Sequence, residues 1–137
     1  MSAADTIADA GLDARGAAWV KCFREAWASG DMDRLLAPLR PEASVLYPLM
    51  QAQLDREGLR GFFARMYQRL PDLRIEPLTW AQRGDDVLIV WRATATVAGA
   101  ALTWEGADWF TLDREGWVVR ARAYYDPREL LAGFGAG

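Results

Sequence analysis

Between Trp104 and Pro127 the chain reads as two β-strands joined by a tight turn. Trp109, Phe110, Thr111 and Leu112 are strand formers, and Asp113-Arg114-Glu115-Gly116 breaks the run. Gly116 can take the positive φ that closes such a hairpin. Trp117, Val118 and Val119 restart the strand, which ends at Asp126-Pro127 because Pro127 has no N–H to give a ladder. Period-2 alternation puts Asp108 on the face of Phe110 and Leu112. It puts Asp126 on the face of Val118, Arg120, Arg122 and Tyr124. A carboxylate on the apolar face of a sheet is costly unless it is paired or protonated. Asp108 therefore needs a chemical reason to be there.

The rest of the chain supplies partners for that hairpin. Met1 to about Gly11 is small and polar and is expected to fray. Leu12, Gly16, Trp19, Val20, Phe23, Ala26 and Trp27 recur at helical spacing, which predicts a helix to about Ser29. Gly30 stops it, and Asp31 caps a short second helix through Leu36. A strand is expected over Ala43 to Tyr47, stopped by Pro48, with an apolar loop from Leu49 to Leu54 as a lid over a pocket mouth. Asp55 caps a third helix, about Arg56 to Leu70, whose inner face is Leu59, Phe62, Phe63, Met66, Tyr67 and Leu70. A strand to about Arg83 follows, with Pro77 marking a bulge or an edge. Val87 to Val97 is apolar on both faces and hence central. A short helix from Asp126 to about Ala132 and a flexible tail, residues 133–137, complete one domain spanning 1–137. Helices gathered on one side of a mainly antiparallel sheet make an α+β fold.

Composition excludes several kinds of chemistry. The chain has no His, so the commonest general base and metal ligand are missing, and no metal site or cofactor is expected. Its one Cys, Cys22, rules out an intramolecular disulfide and borders an apolar stripe, which suits a structural role. A net charge of −3 makes no electrostatic case for nucleic acid. No run is long and apolar enough for a membrane span, and the N-terminus lacks the pattern of a secretory signal, so a cytoplasmic location is expected. Seven Trp is a surplus for this length, and surplus aromatics line pockets or interfaces.

The stretch with Asp108, the turn at Gly116 and Ala123-Tyr124-Tyr125-Asp126-Pro127 resembles the C-terminal hairpin of the NTF2-like superfamily, in particular SnoaL-like proteins and ketosteroid isomerases. The resemblance extends from about Trp19 to Leu131 and implies an NTF2-like (cystatin-like), cone-shaped α+β barrel. In that fold three N-terminal helices pack on a curved, mainly antiparallel sheet. The first and third helices and the sheet enclose a pocket, and the sheet's outer face commonly makes a homodimer. In ketosteroid isomerases the aspartate matching Asp108 is a neutral acid that donates to the developing enolate, the handling of a buried carboxyl for which that enzyme is the standard example. The isomerase base falls on Tyr47, before Pro48, and its oxyanion tyrosine falls on Phe23, so steroid isomerisation itself is not implied. SnoaL-like cyclases carry an acid/base aspartate near the strand end occupied here by Asp126. Asp126-Pro127-Arg128-Glu129 also fits a helix cap, and the two roles can coexist. Limonene epoxide hydrolases use an Arg-x-Asp pair where this chain has Arg92-Ala93-Thr94. Arg92 then either points inward to pair with Asp108 or Asp126, or outward onto the dimer face.

Two functions follow as expectations. One is a cofactor-independent isomerase, cyclase or dehydratase acting on a hydrophobic carbonyl compound. Asp108 would be its acid and Asp126 its base, with Tyr47, Phe23, Trp19, Phe63, Arg92, Phe110 and Tyr124 around the substrate. The other is a non-catalytic ligand-binding or dimerisation module that kept the fold and lost the base. Two carboxylates facing one closed cavity favour the first; a collapsed cone or a single capped aspartate favours the second.

Overall fold

In the computed structural model residues 11–136 are described; the expected frayed segment up to residue 10 lies outside them. The elements are α1 (Ala14–Ser29), α2 (Met32–Leu36), β1 (Leu39–Leu46), α3 (Arg56–Arg69), β2 (Arg74–Arg83), β3 (Asp86–Val97), β4 (Ala100–Leu112), β5 (Val118–Tyr124) and α4 (Arg128–Ala136). Three of the helix starts are capped by aspartates: Asp13, Asp31 and Asp55 each accept from a backbone N–H of the first turn. Gly30, at φ 73°, closes α1 with its N–H on the Ala26 carbonyl.

The five strands form one curved sheet in the order β1-β5-β4-β3-β2. β1 runs parallel to β5, and the other pairs are antiparallel. The β3–β4 hairpin turns through Ala98 and Gly99, both at positive φ, the backbone that matches strand twist in a two-residue loop. At the next hairpin the Asp113 carboxylate accepts from the N–H groups of Glu115 and Trp117, and Gly116 sits at φ 92°. α1 and α3 cover the inner face of the sheet. Val87, Ile89, Trp91, Ala93, Ala95 and Val97 of β3 alternate inward, and Phe23, Leu59 and Phe63 meet that face from the helices. Truncating one of these large side chains to Ala would cost about 3–5 kcal/mol, since the close-packed core relaxes only in part. Among the described residues no helix is long and apolar enough to cross a membrane.

Several expected boundaries differ. β1 starts at Leu39, not Ala43, and carries Pro41 within it. It is an edge strand, where a missing N–H is tolerated, and its pairing with β5 is irregular between Leu39 and Ser44. Pro77 does sit beside a bulge, at Leu78 of edge strand β2. β3 is central, yet its outer positions, Leu88 to Thr96, lie exposed or half-buried in the single chain. α4 continues to Ala136, past the expected stop at Ala132 and through part of the segment expected to be flexible. Gly133 is there for contact: a Cβ on it would lie 2.0 Å from a methyl of Val97.

Candidate active site

Asp108 lies on the inner face of β4, in line with Phe110 and Leu112, and is 7% exposed. Its cross-strand neighbours are Ile89 on β3 and Ala123 on β5, so neither flank offers a charge. The carboxyl faces a cavity of about 40 Å³. Phe23 and Trp27 wall it from α1, and Phe62, Phe63 and Met66 from α3. Trp91, Trp104 and Ala123 come from the sheet, with Tyr47 and Tyr125 just beyond the ends of β1 and β5. Among the described residues Asp108 is the one acidic or basic side chain in that lining.

The wall is an aromatic network. Trp27 meets Phe63 edge-on at 5.5 Å, Tyr47 meets Phe62 at 5.9 Å, and Trp91 meets Tyr125 at 5.6 Å. Edge-to-face contacts of this kind fix ring orientations as well as burying area. Trp91 fits because its partner across the ladder is Gly106: a Cβ there would lie 2.7 Å from the indole ring.

This environment decides the protonation of Asp108. Burial pushes its carboxyl from the ordinary 3.8 up to about 7, because the charged form loses water and gains no cation. The indole of Trp91 pulls weakly the other way, but its Nε1 does not reach hydrogen-bond geometry with any acceptor. Burial, followed by the nearby Asp108, raises the phenols of Tyr47 and Tyr125, and both stay protonated at neutral pH. Neither phenol has a hydrogen-bond partner among the described residues. Two hydroxyls, an indole N–H and a carboxyl that is half-protonated near neutrality therefore border one apolar space. Protonated Asp108 makes the lining rich in donors; ionised Asp108 is a desolvated base.

The other expected site residues divide. Tyr47, Phe23 and Phe63 line the cavity. Trp19 and Phe110 lie one layer behind, in edge contact at 4.8 Å, and buttress Phe23. Arg92 points outward, since Trp91 and Ala93 take the inner positions of β3. It sits between Glu76 and Glu105, its cross-strand neighbours, at 3.8 and 3.4 Å, and so does not pair with Asp108. Asp126 is exposed and absent from the cavity wall. Its carboxylate accepts from the Arg128 N–H at 3.0 Å and holds the Arg128 guanidinium at 2.6 Å, which keeps it below the usual carboxylate range. The structure thus gives Asp126 the helix-capping contact and brings one carboxyl, not two, to the cavity.

Tyr124 is the clearest correction. β5 carries a bulge at Val119, so the count of inner positions shifts by one: Val118, then Ala121 and Ala123. Tyr124 faces out at 55% exposure, and Tyr125 takes the cavity position. Arg120 and Arg122 turn outward by the same shift. Arg120 lies over the Trp109 ring at 4.5 Å, and Arg122 donates to Ser44 and Gln53. Sequence reasoning also missed Trp91, and it did not count Trp104, which lies near Asp108 along the strand, as a lining residue. The alternation of β3 and β4 would mark both as same-face residues, but only the β3–β4 register sets Trp91 beside Asp108.

Comparison with known proteins bears on the family and the fold. The model of the SnoaL-like domain matches residues 20–121. No curated protein sequence matches the chain. IdmH of Streptomyces antibioticus, proposed to be a polyketide cyclase, superposes with a TM-score of 0.73 at 23% identity, covering 88% of this chain and 98% of that one. A SnoaL-like protein of Jannaschia sp. CCS1, also proposed to be a polyketide cyclase, gives 0.77 at 19% identity over 92% and 95%. An NTF2-like protein of unknown function from Burkholderia pseudomallei gives 0.78 at 16% identity over 88% and 97%. At these identities the likeness is one of fold, and the family rests on the sequence match across most of the chain: this protein belongs to the SnoaL-like domain family, on the NTF2-like fold.

Proposed function

We propose that this protein is a cofactor-independent enzyme that moves a proton on a hydrophobic carbonyl compound, as an isomerase, cyclase or dehydratase would, with Asp108 as its acid/base group. One observation carries the reading: a lone carboxyl faces an apolar cavity together with two unpartnered phenols. Ionised Asp108 takes a proton from a carbon next to the substrate carbonyl. The electron pair moves onto the carbonyl oxygen, and the hydroxyls of Tyr47 and Tyr125, two residues of the cavity lining, are the donors proposed to stabilise it. In a cyclisation the same carbon then bonds to a second carbonyl carbon of the molecule, and protonated Asp108 returns its proton to the new alkoxide. In an isomerisation the proton returns to another carbon. Either way the carboxyl ends as it began, and a group titrating at about 7 serves both halves well. The polyketide cyclase role proposed for two fold neighbours is chemistry of this class.

The acid/base step has a direct assay that needs no knowledge of the natural substrate. 2-Tetralone is a hydrophobic ketone whose α-protons exchange in D2O, and NMR follows their loss. Wild-type protein should speed this exchange, with a rate rising through about pH 7, and Asp108→Asn should abolish the gain. Exchange no faster with wild type than with Asp108→Asn overturns the enzyme reading. It leaves the second reading, a binding module, which the small volume of the cavity favours. A homodimer through the outer face of the sheet also belongs to the proposal. Leu88 and Tyr124, 45% and 55% exposed, lie on that face of the single chain, where a soluble monomer gains by covering them.

A further inference from the structure

We propose that the groove outside Leu49, Phe62 and Met66 is an anion-binding subsite, so that the ligand of the inner cavity is an apolar molecule with an anionic group at its far end. The proposal rests on the inner cavity being a ligand site, and it names the class of molecule that fits. The groove holds about 640 Å³ between the segment after β1, helix α3 and helix α4. Leu49, Phe62 and Met66 line both spaces, so these three side chains form the partition between them.

The inner cavity, at about 40 Å³, is far below the several hundred Å³ of an ordinary small-molecule site. A molecule that places an oxygen at Asp108 must therefore widen the cavity at the partition and leave much of its body in the groove. The partition suits such movement. It has no hydrogen-bonded side chain, and Met66 is unbranched and easily repacked.

The charge in the groove is of one sign. Arg65 and Arg69 line it, and among the described residues no acid does. They stand four residues apart on α3, hence on one face of the helix. Neither has a carboxylate partner among the described residues, whereas Arg60, farther back on the same helix, is engaged by both Glu57 and Asp33. Arg69 lies over the Phe134 ring at 4.8 Å. Stacking uses the flat face of the guanidinium and leaves its N–H edges free for a planar or tetrahedral anion. The two sites together thus read a ligand from end to end: donors and a carboxyl at the buried oxygen, apolar walls along the body, two guanidinium groups at the exposed end.

The test compares three ligands of one chain length, decanoate, decyl phosphate and decanol, by calorimetric titration of the full chain. Both anions, or one of them, should bind at least about 10-fold tighter than decanol, and added salt should shrink that margin. Whichever anion binds better identifies carboxylate or phosphate as the favoured head. The double variant Arg65→Gln/Arg69→Gln should bind the anions no better than decanol, with decanol binding unchanged; both side chains are exposed, so the fold should survive. Equal binding of decanol and both anions overturns the subsite and leaves the apolar cavity standing. Binding of none of the three overturns both. An anion preference that persists in the double variant assigns it elsewhere and overturns the groove. Loss of 2-tetralone exchange has no bearing on this margin, so the enzyme reading and the subsite fail separately.

Discussion

Asp108→Asn tests whether the cavity really holds a displaced carboxyl. The folded protein binds this proton with a pKa of about 7, against 3.8 for an ordinary aspartate. The gap of about three pH units, at 1.36 kcal/mol each, corresponds to about 4 kcal/mol. The sign follows from which state holds the proton. Below pH 3.8 both states are protonated, and Asp108 contributes no pH dependence. Between 3.8 and about 7 the unfolded chain has released the proton and the folded one has kept it, so each further pH unit costs the folded state about 1.4 kcal/mol. Above that window both states are ionised and the cost is constant. Asn carries no charge at any of these pH values, so the variant should lack the decline. Urea unfolding at a series of pH values from about 4 to about 8 reads both profiles, and their difference removes any fixed cost of the buried amide. The window is unusually clean. The chain has no His, Cys22 is pushed above its usual 9.0, and Asp72, Asp113 and Asp126 are shifted downward, away from it. Wild type should lose roughly 4 kcal/mol across the series relative to the variant. Parallel profiles would refute the reasoning. A variant that is less stable than wild type only at the higher pH values would show instead an ionised Asp108 held by a cation.

Three further outcomes are expected. Tyr125→Phe should slow 2-tetralone exchange by about 10²-fold, the scale of one lost oxyanion donor, while Tyr124→Phe should leave it unchanged; the reverse result would place the bulge of β5 wrongly. Leu88→Lys should convert a sedimenting dimer to a monomer, and a wild-type monomer at tens of micromolar would sink the interface outright. Asp126→Asn should lower the melting temperature less than Asp126→Ala, since Asn still accepts from the Arg128 N–H; equal losses would mean that the charge of the Arg128 pair matters and the cap does not.

The fold was legible because its punctuation is local. Asp31 and Asp55 cap helices where they were expected, and Gly116 closes its hairpin at positive φ. Asp108 was legible for a related reason: from Asp108 to Leu112 the inner positions of β4 alternate without interruption, so Phe110 and Leu112 mark its face correctly. Arg92 shares its parity in β3 with Asp86, Thr94 and Thr96, against an opposite parity that is wholly apolar, so the strand itself carries the signal for its outward face, which reading both faces as apolar left open. The glutamates that hold it, Glu76 and Glu105, come from two other strands and depend on register. Trp91 was missed similarly, as its neighbourhood includes Gly106, whose lack of a side chain makes room for the indole.

The bulge at Val119 sets the chemistry of the cavity. Counted from Val118 with strict alternation, Arg120 and Arg122 would point inward, and Tyr124 would follow them. Two guanidinium groups facing Asp108 would hold it ionised and low, and burying both would cost several kcal/mol that a single carboxylate could not offset. One extra residue in β5 turns both arginines out and brings Tyr125 in. The cation that would have quenched Asp108 is replaced by a neutral donor, and desolvation is left as the dominant influence on its proton. The cost of burying Arg120 and Arg122 together points from the sequence to a bulge or to surface exposure of at least one of them, but Val118-Val119, two β-branched residues that suit a regular strand equally well, do not mark its place. It is set by the pairing of Thr111 with Arg120 and of Leu112 with Val118, a contact between strands rather than a property of either. Asp108 could therefore be placed by reading along the chain, while the inward position of Tyr125 required the sheet.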